Sequence, residues 1–347
     1  MTETAVNRRE FLMASAALAT GAALATPVAA QTRGGEGGPG GGAQAAPAEP
    51  LTFKTKLQKA LIARPTEQDL EQMKAAGFHG VEGRVIPPDE AAKIRVFADK
   101  IGMRIHSVTR GWAQFNDATE AQPTFDVTAG ALRTAEAFGA DAILLVPCWI
   151  GARQGKGTPV AMPRPWEFQI EFDQKTGHLT RVVYADNARY ADYIRAHNHA
   201  TDASREWVSK LIPLAEKTKV VVALENVSNQ LWVQPALFNH FVRSFRSPWI
   251  KAYYDIGNHL RYAAPERWIL GLGDILAKIH VKDYLLTPED PNGMGRSVNI
   301  REGSARWPVI RQALETVNYN GWMTIEESGS LSFEERSKRL DQIIAGV

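Results

Sequence analysis

The chain has 347 residues, with 40 Lys and Arg against 38 Asp and Glu and a formal net charge of +2 when histidine is neutral. The two signs are scattered among one another, so no basic stripe marks a nucleic-acid footprint. The single cysteine, Cys148, excludes an internal disulfide, and its apolar setting points to a buried structural thiol rather than a reactive one.

Residues 1–30 read as a twin-arginine export signal. Asn7-Arg8-Arg9-Glu10-Phe11-Leu12 carries the paired arginines, an Ala-rich apolar run covers 11–24, and Val28-Ala29-Ala30 offers small residues for cleavage. A membrane anchor is the alternative, but the run is short and Ala-rich for about 30 Å of hydrocarbon. The expected location is the periplasm, reached as a folded protein. Residues 31–50 are mostly Gly, Ala and Pro and bury too little to offset ordering entropy, so they read as a disordered linker. Residues 51–347 suit one large domain.

From there short apolar strands alternate with amphipathic helical stretches. A weak first strand covers 53–62. Thr66 caps a helix that has Asp69 in its first turn and Gly77 at its end. Gly80-Val81-Glu82-Gly83 is a second strand ending on an acid, and Pro87-Pro88-Asp89-Glu90 opens a helix that stops near Gly102. The third strand is 103–108, and a helix over 125–138 closes at Gly139. The fourth strand, 142–147, is apolar throughout, as a strand buried on both faces should be. The beat breaks over 149–187. Here 151–165 reads as a loop, and the runs 168–172 and 179–184 flank Asp173-Gln174-Lys175-Thr176-Gly177 as a β-hairpin. Following strand four, that hairpin is expected over the C-terminal mouth of a barrel. A long helix over 188–217 leads to strand five at Val220, and a helix over 235–245 leads to strand six, ending at Asp255. A short helix over 265–272 precedes strand seven, ending at His280. Then come a helix over 306–317, strand eight over 322–326 and a last helix over 331–344. Eight such units in series predict an α/β fold, a (β/α)8 TIM barrel with a β-hairpin insertion after strand four. An open doubly wound sheet would need a Gly-rich phosphate loop after the first strand, and Leu61-Ile62-Ala63-Arg64-Pro65 has none.

Four of the last strands end on groups able to bind a metal: Glu225, Asp255, His280 and Glu326. An unpaired buried charge is costly and finds a partner or a metal, so the four read as one site at the barrel mouth, where strand ends converge. Three carboxylates and an imidazole suit one divalent ion, Mn2+, Mg2+, Co2+ or Zn2+. Such an ion polarises a sugar carbonyl or hydroxyl and stabilises the enediolate formed when the adjacent carbon loses a proton. Glu225 and Glu326, at opposite ends of the set, are the natural acid–base pair. Salt bridges at the barrel rim are the alternative.

Other residues carry two readings each. His106 ends strand three and is expected to face the mouth as a substrate contact, or else is a core histidine. Glu82 is a similar contact, or a rim ion pair. Lys282 lies two residues past His280 on the same strand face, to hold a substrate oxygen or to pair with a carboxylate such as Glu225. Trp112 and Trp232 follow strands three and five, for sugar stacking or for packing. His197 and His199, two apart on a helix, cannot share a face and take no metal role.

The stretches Ala223-Leu224-Glu225-Asn226, Tyr254-Asp255-Ile256-Gly257-Asn258, Ile279-His280-Val281-Lys282-Asp283 and Gly321-Trp322-Met323-Thr324-Ile325-Glu326 resemble the sugar isomerase/epimerase superfamily of xylose-isomerase-like barrels. That group includes ketose 3-epimerases and hydroxypyruvate isomerases. The resemblance runs from about residue 53 to the C-terminus and is strongest after Val220. It implies that the matching Glu225, Asp255, His280 and Glu326 bind the metal and that the two glutamates act as acid and base. Arg301-Glu302-Gly303 resembles the family's GEG loop, with Arg301 in place of its first glycine. Ketose 3-epimerases carry a substrate-binding His three residues after the metal Asp. Here Asn258 stands there, followed by His259, and both are candidate substrate contacts. An Arg found a few residues beyond the metal His is absent, with Leu286 nearby.

The implied function is a metal-dependent sugar isomerase or epimerase, with elimination on 3-keto-glycosides as the alternative. A non-catalytic periplasmic sugar-binding barrel is a second class, and the intact Glu225/Glu326 pair favours the enzyme. An endonuclease on abasic DNA shares the fold but would call for further His and Asp ligands and a basic face. The expected partner is a small sugar or keto-sugar, with no nucleic acid and no membrane after signal cleavage; a homo-oligomer is left open.

Overall fold

Eight short strands, each too narrow to bury its faces alone, close on one another in parallel. The computed structural model describes residues 52–152, 157–326, 329 and 331–347; the export signal and linker expected over 1–50 lie outside the described residues. The barrel strands are β1 (Leu57–Ile62), β2 (Gly80–Arg84), β3 (Arg104–Trp112), β4 (Ala142–Val146), β7 (Val221–Glu225), β8 (Ile250–Asp255), β9 (Leu276–Val281) and β12 (Gly321–Ile325). They pair in that order, and β12 returns to β1 through the register Leu57↔Gly321. The helices are α1 (Glu67–Ala75), α2 (Pro88–Lys100), α3 (Ala121–Phe138), α4 (Ala191–Thr218), α5 (Pro235–Arg243), α6 (Pro265–Leu272), α7 (Trp307–Thr316) and α8 (Phe333–Ala345). This is the (β/α)8 TIM barrel that the strand–helix alternation predicts. Local signals act as expected: the Thr66 hydroxyl accepts from Asp69 N at the start of α1, and α3 ends on Gly139 with φ +71°.

Side chains of period two divide the core. Outward residues of the strands, such as Ile143, Leu145, Val222, Leu224 and Tyr254, pack against the helices, while Leu144, Val146, Ala223 and Tyr253 form a small apolar cluster inside the barrel. Much of the remaining interior is polar. At its lower end buried Lys278 meets Asp141 at 2.5 Å. Cys148 is buried, and burial pushes its thiol up to about 12, as fits a structural cysteine. Among the described residues no helix is long and apolar enough to cross a membrane.

Two insertions interrupt the alternation. β5 (Glu171–Phe172) and β6 (Leu179–Arg181) form the expected hairpin after β4. Its position differs from the expectation, for its tip packs on the helical flank rather than over the mouth. Gln174 O accepts from His240 Nε2 at 2.9 Å, Thr176 O accepts from Arg205 Nη2 at 2.7 Å, and Phe172 packs edge-on against His240. The turn carbonyls need donors, and α4 and α5 supply them. The mouth is instead bordered by β10 (Asp283–Leu285) and β11 (Arg296–Val298), an antiparallel pair following β9 that the sequence did not reveal.

Candidate metal centre

Glu225 and Asp255 end β7 and β8, His280 is the last residue but one of β9, and Glu326 follows β12. Because all four strands run parallel, their C-terminal ends meet, and one ligand atom from each residue lies within 4.8 Å of the others. His280 Nδ1 is central: it lies 3.3 Å from Glu225 Oε1, 3.0 Å from Glu326 Oε2 and 4.0 Å from Asp255 Oδ2. Glu225, Asp255 and His280 are buried, whereas the Glu326 side chain is 35% exposed and borders a cavity of about 680 Å³. That volume suits a small molecule.

The strand ends hold these groups stiffly. Asn226 clamps β8 to β7, its Oδ1 accepting from Asp255 N at 2.7 Å and its Nδ2 donating to Asp255 O at 2.9 Å. Asn258 N donates to Asp255 Oδ1 at 2.6 Å, leaving Oδ2 to face the centre. On the far side of the imidazole, His280 Nε2 lies 3.2 Å from Glu82 Oε2, which also accepts from the Tyr253 hydroxyl; Glu82 Oε1 accepts from Thr109 Oγ1 at 2.6 Å. A carboxylate there makes Nε2 the donor, so that Nδ1, once deprotonated, would present its lone pair to the side of the three acids.

Burial pushes the Asp255 carboxyl up to about 7 and raises Glu225, with Glu326 adding repulsion to both. Burial opposes ionisation of Glu326 too, but the neighbouring His280 and Lys282 hold it well below the usual carboxylate range. Burial alone would lower His280, and the Glu82 and Glu326 carboxylates outweigh it, so the imidazole is held as a cation. A proton thus supplies the positive charge that so many converging acids require. Asp255 Oδ2 and Glu326 Oε2 are buried and lie at ion-pair distance from Lys282 Nζ, 3.5 and 3.1 Å, and Glu326 Oε2 lies 3.0 Å from His280 Nδ1. Three carboxylates and one imidazole nitrogen, with one ligand atom from each within 4.8 Å of the others, fit a divalent ion.

The remaining candidates scatter. Lys282 lines the cavity beside Glu326. Glu82 is fully buried beneath His280, one layer below the mouth, and does not border the cavity. His106 was expected to end its strand and face the mouth. β3 instead continues to Trp112, so His106 lies deep in the barrel, stacked on Trp322 at 4.4 Å with Nε2 3.1 Å from Thr324 Oγ1. Asn258 is used by the strand-end clamp, with Nδ2 donating to Asn226 O at 3.2 Å. His259 is buried, its Nε2 bonded to Val227 O at 3.1 Å and its ring against Trp268. Trp112 meets Trp149 edge-on at 5.9 Å outside the cavity lining, and Trp232 is packed on Phe241 at 3.9 Å. His197 accepts from Trp232 N. Reading the sequence also missed Asn226, Tyr253, Thr109, Arg84 and Arg110 around the centre. Tyr253 and Arg84 could have been found by stepping two residues from Asp255 and Glu82 along the same strand face.

Residues 70–343 match the family model described as the xylose isomerase-like TIM barrel. The sequence matches no curated protein. Solved structures with a similar fold include a D-tagatose 3-epimerase-like protein, 15% identical with a TM-score of 0.61, covering 83% of this chain and 97% of the other. A 3-keto-D-glucoside 4-epimerase from E. coli is 13% identical with a TM-score of 0.59, covering 83% and 99%. A xylose isomerase-like TIM barrel protein from Mycobacterium smegmatis, in complex with magnesium, is 15% identical with a TM-score of 0.56, covering 84% and 96%.

Proposed function

The chain belongs to the xylose isomerase-like TIM barrel family, and from that premise we propose that it is a divalent-metal-dependent sugar isomerase or epimerase acting by proton transfer beside a carbonyl. The observation that carries the reading is the convergence of Glu225, Asp255, His280 and Glu326 within 4.8 Å at the foot of the mouth cavity. Neighbours in fold that are named as epimerases, and one solved with magnesium, support it.

An ion held by these four residues supplies Lewis acidity to a sugar carbonyl or hydroxyl oxygen. The chain supplies the proton transfers. Glu326 reaches the cavity and is kept ionised by His280 and Lys282, so its carboxylate is the base that takes the proton from the sugar carbon. Glu225 is buried, with its proton affinity raised, and suits the acid that returns a proton from the other side. Lys282 Nζ, 3.1 Å from Glu326, presents an ammonium to a substrate oxygen.

The test is to load the protein with Mn2+, Mg2+, Co2+ or Zn2+ and incubate it with free ketoses and 3-keto-glycosides in deuterated water. Deuterium should enter a substrate carbon only when metal is bound. If the metal binds and no sugar exchanges, the reading fails in favour of a non-catalytic binding barrel. Elimination on a 3-keto-glycoside is the second reading. What favours it is that Asn258 stands where ketose 3-epimerases carry a substrate-binding histidine and is held in the strand-end clamp, while the next residue, His259, is buried with Nε2 bonded to Val227 O. An unsaturated product in place of an epimer would identify it. The proposal includes export by the twin-arginine route, and cell fractionation tests that part.

A further inference from the structure

Among the described residues the mouth cavity is lined by one carboxylate, Glu326, and three cations, Arg84, Arg110 and Lys282. Lys282 is already engaged, 3.1 Å from Glu326 and 3.5 Å from Asp255. A divalent ion together with Lys282 would balance Glu225, Asp255 and Glu326. Among the described residues the two guanidinium groups that line the cavity would then have no counter-charge in its lining; Glu82, sealed below His280, would answer one of them at most.

Arg84 ends β2 two residues past Glu82 and so on the same inward face, above it at the mouth. Its side chain is exposed and makes no hydrogen bond or ion pair among the described residues. Thr109 on β3 is its register partner, and Arg110 is the next residue. Arg110 is anchored by three donors: Nε to Thr128 Oγ1 at 2.8 Å, Nη1 to Trp112 O at 2.6 Å and Nη2 to Thr124 O at 2.9 Å. All three acceptors are neutral, so the group is held in place while its charge is left unanswered, and two of its five N–H bonds stay free. Burial pushes Arg110 down to about 10, and among the described residues no carboxylate offsets it. Both residues border the same cavity, and an anion held there would answer both charges.

We propose that the substrate is an anionic sugar derivative whose acidic group, a carboxylate or a phosphate ester, is received by Arg84 and Arg110 while its reacting carbon lies against Glu326. This rests on the sugar-isomerase reading above and adds the charge of the substrate. Arg110, fixed by its neutral partners, supplies direction; Arg84, free and exposed, closes on the acid.

The experiment titrates the metal-loaded full chain by calorimetry with D-glucuronate, D-glucose 6-phosphate and D-glucose, then repeats it with Arg84→Gln and Arg84→Glu. Arg84 is exposed, so both variants should keep the wild-type melting temperature. At least one acid should bind about tenfold more tightly than glucose, lose about tenfold in Arg84→Gln and more in Arg84→Glu, while glucose is unaffected. The advantage should shrink as salt rises. Whichever acid behaves this way tells carboxylate from phosphate. Equal affinity for all three probes, no binding of either acid, or an equal effect of Arg84 on glucose and on the acids overturns the proposal. Deuterium exchange on neutral keto-sugars is read in parallel. Exchange without acid preference removes the anion site and leaves the isomerase standing. Acid preference that depends on Arg84, without exchange in any sugar, retains the site and removes the isomerase.

Discussion

Glu82→Gln isolates what the buried carboxylate does for the metal centre. Glu82 is fully buried and accepts from three donors, His280 Nε2 at 3.2 Å, Thr109 Oγ1 at 2.6 Å and the Tyr253 hydroxyl. The amide matches its shape: its oxygen in the place of Oε2 still accepts from Nε2–H and the Tyr253 hydroxyl, and its NH2 in the place of Oε1 can donate to Thr109 Oγ1 once that hydroxyl turns. The fold should therefore survive. What is lost is the charge, and a charge-assisted hydrogen bond is about twice as strong as a neutral one. Removing such a partner from a ligating histidine weakens metal binding about 10–100-fold, or ~1.4–2.7 kcal/mol. The assay is calorimetric titration of chelator-stripped protein with Mn2+ and Co2+, with the visible spectrum of the Co2+ form reporting ligand geometry and the melting of the stripped protein reporting the fold. Glu82→Leu is the comparison: it leaves two hydroxyls and an imidazole N–H buried without acceptors, at about 1–3 kcal/mol each, so stability and affinity should fall together. If Glu82→Gln binds both ions as tightly as wild type with an unchanged Co2+ spectrum, Glu82 is a core group only and does not orient His280.

Three further outcomes follow from the same geometry. Glu326→Gln retains an oxygen for the metal but no base, so metal affinity should stay near wild type while turnover drops ~10²–10⁴-fold and deuterium no longer enters the sugar; wild-type turnover with metal bound would remove Glu326 from proton transfer. Metal binding should strengthen as pH rises through about 7, because His280 is held protonated by the surrounding acids and Asp255 is pushed up to about 7 by burial, and both must lose protons to ligate. Calorimetry in two buffers of different ionisation enthalpy should register proton release below that pH, and affinity that is flat from pH 6 to 8 would contradict it. Arg301 has φ +73°, a conformation that costs a non-glycine residue about 1–2 kcal/mol. Its backbone N–H donates to Asp283 Oδ2 at 3.2 Å whatever the side chain. Arg301→Gly should stabilise by ~0.5–1 kcal/mol after the greater entropy of glycine in the unfolded chain, read as a higher urea midpoint; an unchanged or lower midpoint would show that the Arg301 side chain offsets the strain.

Much of the fold could be read from the sequence because it rests on local rules. Runs of β-branched and aromatic residues mark the strands, Thr66 and Gly139 mark helix ends, and eight alternations leave few ways to close a sheet. What was missed is non-local. The strand Arg296–Val298 is three residues with two of them polar, and only its pairing with Asp283–Leu285 makes it a strand. The β5–β6 tip sits on the helical flank because Arg205 and His240, distant in sequence, donate to its carbonyls.

The site divides along the same line. Period two assigns a side chain to the barrel interior, but the depth at which it sits is set by register with the neighbouring strands. On β9 and just beyond it, Lys278, His280 and Lys282 face inward at two-residue steps, and they do three different things: an ion pair with Asp141 below, a ligand position in the middle, a cation in the cavity above. The four candidate ligands were legible because each lies within one residue of the point where its strand stops. Glu82 also looked like a strand end, yet β2 runs two residues further, to Arg84, and pairs Glu82 with Ser107. His106 was likewise counted from an apolar run that closes at Val108, while β3 continues through a bulge to Trp112. An error of one layer turned two interior residues into expected substrate contacts, and it hid Arg84. Placed one layer lower, Glu82 meets the imidazole of His280 instead of a sugar, and the residue two positions on takes its place at the mouth with the opposite charge.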